Sequence, residues 1–130
     1  MNDDVLEAYG QQELNSYSHW VYILNCDLRW RCDNYREYER RISNRLDYQP
    51  NWMRMAWEAR RQVYVGQTEN LEKRIGQHFQ NKHSSDFTTV YEPYQIVYLK
   101  PVHSRNAAEY QEQKIGKSYY DNDDVYAYWN

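Results

Sequence analysis

No stretch of this chain approaches the roughly 18 consecutive apolar residues that a membrane-spanning helix needs. The acidic first segment also lacks the basic start of a secretory signal. Both absences point to an intracellular protein. Only two cysteines occur in 130 residues, and one domain of this length buries a sufficient core without disulfides. Cys26 and Cys32 are separated by five residues near His19. A structural zinc site needs four ligands at tighter spacing, so they read as ordinary thiols. Internal repeats, low-complexity segments and glycine-rich nucleotide-binding loops are missing as well. Basic residues are absent from both ends: 1–15 carry Asp3, Asp4, Glu7 and Glu13, and 121–130 carry Asp121, Asp123 and Asp124, with no Lys or Arg. The formal net charge of −3 therefore hides a body in which 16 basic residues face 12 acidic ones. Acidic ends around a basic body are compatible with a polyanionic partner, because the local field steers it.

What the chain has in abundance is aromatic surface: 15 tyrosines and 5 tryptophans. These rings suit packing and stacking against bases. The apolar pattern predicts strands over residues 19–25, 62–66 and 94–100, the last ended by Pro101. It predicts helices over 33–49 and 51–61, separated by Pro50. Further helices are expected from Thr68, as N-cap, to about Gln80, and from Ser104, as N-cap, through about Tyr119. In the first helix Tyr35, Tyr38, Ile42 and Leu46 form one apolar stripe, with Arg36, Arg40, Arg41 and Arg45 around the rest.

The run Val63-Tyr64-Val65-Gly66-Gln67-Thr68 stands ahead of Leu71, Arg74 and His78, while Val21-Tyr22-Ile23 lies upstream. At 100° per residue, Leu71, Ile75 and Phe79 make the apolar face of the helix after Gly66, with Arg74 and His78 on its shoulder. Arg74 and His78 are one turn apart, so both tips can meet one phosphate. In the last helix Ala108, Glu112, Ile115 and Tyr119 share an inward stripe, and Glu109 points towards the polar flank. A carboxylate on an apolar stripe is costly unless paired or bound to a metal.

These residues resemble the GIY-YIG nuclease family. The first tyrosine motif reads VYI at 21–23, the second YVG at 64–66, and R-x-x-x-H falls on 74–78. The family's A-x-x-x-E pattern falls on Ala108 and Glu112. The resemblance covers roughly residues 19–24 and 62–120, within a single domain over 1–130. It implies an α+β fold with a small, mostly antiparallel three-stranded sheet flanked by helices. A helical, arginine-rich insertion at about 27–61 separates the two tyrosine strands, as in restriction-type members.

The implied activity is metal-dependent DNA endonuclease cleavage at a single-metal site, leaving a 5′-phosphate and a 3′-hydroxyl. The resemblance implies that Arg74 and His78 orient the phosphate and that Glu112, with Glu109 as second choice, holds Mg2+ or Mn2+. Tyr22 or Tyr64 relays a proton from the attacking water. An ordinary phenol titrates near 10, so either tyrosine needs help from its neighbours. Gln67 stands where some members carry a basic side chain, leaving that part to Lys73 or to no residue. The family's site asparagine falls on Asn130 or Asn122. His83 and His103 receive no role.

The insertion, Arg36, Arg40, Arg41 and Arg45 above all, is the candidate DNA contact surface, against the plainer reading of a solvated helix laced with ion pairs. Sequence choice would come from this insertion, a homodimer partner or DNA shape. Two other readings stand beside the endonuclease. One is a catalytically silent nucleic-acid-binding module; the other is a nuclease specific for flaps or junctions.

Overall fold

A computed structural model describes residues 18–80, 85–120 and 124–129. Four strands, β1 (His19–Leu28), β2 (Arg61–Thr68), β3 (Tyr91–Val102) and β4 (Val125–Tyr128), make one sheet in the order β3-β1-β2-β4. β1 runs antiparallel to both β2 and β3, and β4 lies parallel to β2. The α+β class is as expected, but the sheet has four strands rather than three and is mixed. β4 escapes sequence reading because four alternating residues beside an acidic segment give almost no periodic signal.

The helices are α1 (Tyr35–Leu46), α2 (Met53–Glu58), α3 (Leu71–Phe79), α4 (Asp86–Val90) and α5 (Arg105–Tyr120). Asn34 caps α1, its side chain accepting from the Glu37 amide. The helix ends at Asp47, which adopts φ 64°, three residues before Pro50 rather than at it. Aspartate tolerates this left-handed turn better than most residues. The expected stripe is there: Tyr38 and Ile42 are fully buried, and Tyr35 and Leu46 pack beside them. α4 is not expected from the sequence, being too short to show a period. The Ser85 hydroxyl caps it by accepting from the Thr88 amide at 3.2 Å.

Two boundary expectations change. Thr68 does not cap α3; it ends β2, and Asn70 takes the cap, its Oδ1 accepting from the Lys73 amide at 3.2 Å. Pro101 does not end β3, which runs to Val102. β3 is an edge strand, and a proline there need not donate to a neighbour. Ser104 caps α5 as expected, its hydroxyl accepting from the Ala107 amide at 3.1 Å.

Strand alternation sorts the core onto two faces. Trp20, Tyr22, Leu24, Cys26 and Tyr64 point to one, where they pack with Tyr38, Ile42, Trp52, Leu71, Ile75 and Phe87. Val21, Ile23, Val63 and Val65 point to the other, against Ala108, Ile115 and Tyr119 of α5. The sheet is thus sandwiched between α5 and the remaining helices. Gly116 sits under Trp129, where an added Cβ would lie 2.2 Å from the indole. Cys26 is buried and Cys32 half-buried, both free thiols. Among the described residues no helix is long and apolar enough to cross a membrane.

Candidate active site

The β1–β2 register sets Tyr22 opposite Gly66 and Leu24 opposite Tyr64. The two tyrosines are therefore diagonal neighbours on one face, with ring centroids 6.2 Å apart and planes 26° from parallel. Gly66 makes this approach feasible. A Cβ there would lie 2.5 Å from the Tyr22 hydroxyl and 2.8 Å from the Tyr64 ring. Tyr22 crosses over the glycine to α3, where its hydroxyl meets His78 Nε2 at 2.9 Å.

His78 departs from expectation. It is 1 % exposed, and the buried stripe of α3 is Leu71, Ile75 and His78, with Phe79 only half-buried. The helix is rotated so that the histidine faces the tyrosines instead of an open cleft, and it contacts Tyr22 where a phosphate contact was expected. Burial first, and then the Arg74 charge, hold its pKa down to about 3. The ring is neutral. Nδ1 has no hydrogen-bond partner among the described residues. A proton on Nε2, donated to the Tyr22 oxygen, leaves only a lone pair unpaired at Nδ1, the cheaper of the two tautomers.

Linkage gives a testable sign. An unfolded histidine takes up a proton near pH 6.5, whereas folded His78 resists protonation down to about pH 3. Stability is complete above about 6.5 and falls as the pH drops through that window. Between pH 7 and 5 the parent is expected to lose about 2 kcal/mol through this residue, and His78→Gln to lose correspondingly less. Urea melts at the two pH values check this; equal losses in both proteins would refute it.

Arg74 joins the buried tyrosines to solvent. Its guanidinium lies close enough to both hydroxyls to act on them electrostatically and meets Gln77 Oε1 at 3.4 Å. Burial pushes both phenols above their ordinary pKa, and Arg74 pulls both back down. Arg74 also lines a groove of about 350 Å³ with His19, Gln67, Thr68, Glu69 and Arg105. The groove wraps the end of the β1–β2 pair, taking Arg74 from one helical layer and Arg105 from the other. Arg105 is a lining residue that sequence reasoning missed, although it lies seven positions before Glu112 and so on the same side of α5.

Glu112 lies between Ala108 and Ile115 on the inward stripe of α5, 6 % exposed, with no ion pair or hydrogen bond to any described residue. Burial, and then the Glu109 charge, push its pKa up to about 7. Glu109 is exposed and pairs with Arg105 at 3.1 Å, so the inward carboxylate is Glu112. It approaches from the face opposite to Tyr22 and Tyr64, yet its charge reaches both hydroxyls. Among the described residues no three His, Cys, Asp or Glu side chains gather. A carboxylate without an ion pair or hydrogen bond among the described residues is free to meet a hard cation that keeps most of its waters.

The remaining candidates lie outside this cluster. Lys73 is exposed on α3, and Arg36, Arg40, Arg41 and Arg45 are exposed on α1. Arg41 pairs with Glu37 at 3.5 Å; the other three make no ion pair with any described residue. Asn122 and Asn130 fall outside the described residues. Sequence reasoning also missed Tyr128, whose ring stacks on Tyr64 at 5.9 Å and lies 2° from parallel with Phe87 at 5.0 Å.

An arginine that faces solvent on one side and paired phenols on the other, with a lone acid nearby, is equipped to grip a phosphodiester and move its protons. That is a combination a nuclease can use. A sequence profile of the GIY-YIG catalytic domain matches residues 53–123, more than half of the chain, and the protein belongs to the GIY-YIG family. Members of that family are endonucleases that act on DNA and generally use divalent metal ions. The matched span takes in β2, α3 and α5 but not β1, which the segment 29–60 holds at a distance in sequence. No curated protein and no solved structure matches the chain.

Proposed function

We propose that the protein is a divalent-metal-dependent DNA endonuclease whose chemistry rests on Tyr22, Tyr64, Arg74, His78 and Glu112. The observation that carries this is Arg74, a permanently charged fork that lines the groove while its charge acts on both tyrosine hydroxyls. A scissile phosphate in the groove meets the guanidinium, which neutralises the charge that grows on the phosphoryl oxygens. The same guanidinium favours the phenolate of whichever tyrosine takes the proton of the attacking water. His78 fixes the Tyr22 oxygen in place. Glu112 would hold a magnesium or manganese ion through one carboxylate. Such an ion, when bound, supplies Lewis-acid polarisation and stabilises the leaving oxygen. The products are a 5′-phosphate and a 3′-hydroxyl. Lys73 and the exposed arginines of α1 supply backbone contacts, which add affinity and salt dependence without reading sequence.

Nicking of supercoiled plasmid at low salt, with and without Mg2+ or Mn2+, tests the reading. Cleavage that needs the cation and vanishes in a Tyr22→Phe, Tyr64→Phe double variant supports it. DNA binding with no cleavage under either ion would replace it with a silent binding module.

A further inference from the structure

A second groove lies beside the candidate active site. Tyr48, Gln49, Pro50, Asn51 and Trp52, the turn between α1 and α2, line it together with Asp86 of α4 and Tyr128 of β4. Its volume is about 430 Å³, inside the roughly 300–1,000 Å³ of small-ligand sites. None of these residues takes part in the chemistry above. We propose that this groove holds an unstacked nucleobase of the DNA substrate, so that the enzyme favours DNA with single-stranded or extrahelical nucleotides near the cut. This rests on the nuclease reading and names the substrate feature it selects.

Three observations choose a base as the occupant. First, the groove offers rings in the right state. Tyr48 is 48 % exposed, which leaves its ring open for a base to stack on. Tyr128 and Trp52 form the inner wall, each anchored on Phe87, with centroids 5.0 and 5.2 Å away.

Second, the charge is wrong for phosphate and right for a base edge. Asp86 is exposed and accepts a hydrogen bond from the Tyr48 hydroxyl. Its charge repels a backbone phosphate, whereas its remaining acceptor capacity suits the exocyclic amino group of cytosine, adenine or guanine. Thymine has no such amino group. The amides of Gln49 and Asn51 add donors and acceptors on the same rim.

Third, a ring stack links the groove to the candidate site. Tyr128 stacks on Tyr64 at 5.9 Å, less than two rises of about 3.4 Å per nucleotide along a strand. A strand whose phosphate sits at Arg74 can place a nearby base in the groove, provided that base has left its stack. Duplex ends, flaps and bulges supply such bases at lower cost than a continuous helix.

Binding of fluorescein-labelled oligo-dC and oligo-dT to the full chain, by anisotropy in low salt without metal, tests the proposal. The parent is expected to bind oligo-dC about tenfold more tightly than oligo-dT. Tyr48→Ala should weaken oligo-dC binding about tenfold, a typical loss for one stacking ring, and leave duplex binding and plasmid nicking as in the parent. Asp86→Asn keeps the fold and the Tyr48 contact, and should erase the preference for dC over dT. Equal binding of both oligonucleotides by the parent, or unchanged binding in Tyr48→Ala, overturns the groove while leaving the nuclease untouched. A chain that shows these binding differences but never cuts DNA overturns the nuclease reading instead.

Discussion

Arg74→Lys is expected to slow plasmid nicking about 10³-fold, within the range seen when a phosphate-stabilising arginine is lost. Lysine keeps the charge, so a loss this large would isolate the geometry of the fork. One ammonium cannot present a planar fork to the groove while lying beside both phenols, as the Arg74 guanidinium does. The exchange also disturbs the surroundings of two phenols that are almost fully enclosed, Tyr22 at 0 % and Tyr64 at 2 % exposure. A melting temperature lower by a few degrees should accompany the kinetic loss. Single-turnover rates at saturating protein separate chemistry from binding. A rate within tenfold of the parent would remove Arg74 from the centre of the mechanism.

Glu112→Gln is expected to act in opposite directions on activity and stability. Cleavage should fall to background, because the amide cannot replace the one carboxylate offered to the cation. Stability should rise at pH 8. The folded carboxyl titrates near 7 and its unfolded counterpart near 4.3, so between those values the folded state keeps a proton that the unfolded state has lost. Stability therefore declines as the pH rises through that window, and above it the full cost of the buried charge is felt. Discounted for partial hydration, the variant should gain about 1–2 kcal/mol at pH 8 in metal-free buffer. Magnesium should raise the melting temperature of the parent and leave that of the variant unmoved. Equal shifts in both proteins would place the cation elsewhere.

The local pieces of this molecule were legible in its sequence wherever a periodic stripe was long enough. The α1 stripe of Tyr38 and Ile42, the α5 stripe of Ala108 and Glu112, and the strand around Tyr22 all emerge where expected. The choice of Glu112 over Glu109 followed from 100° of rotation per residue and agrees with their burial. What stayed illegible depends on contacts between elements. His78 reads as a shoulder residue on an isolated helix wheel, and only the packing of α3 on the tyrosines turns it inward. Tyr128 belongs to a four-residue strand whose partner, β2, lies some sixty positions earlier, a separation that no local pattern records. The short cap at Asn70 and the edge position of β3, which tolerates Pro93 and Pro101, are also properties of the assembled sheet.

The connectivity of that sheet bears on how the protein comes into being. The described strands include no hairpin: β1 reaches β2 across residues 29–60, β1 meets β3 later still, and β4 closes on β2 last. Contacts so distant in sequence demand loop closure before they return any stabilisation, which slows folding. During synthesis Tyr22 waits for Tyr64, and both wait for Glu112. The proposed site is therefore assembled only once α5 and β4 have docked on the earlier strands.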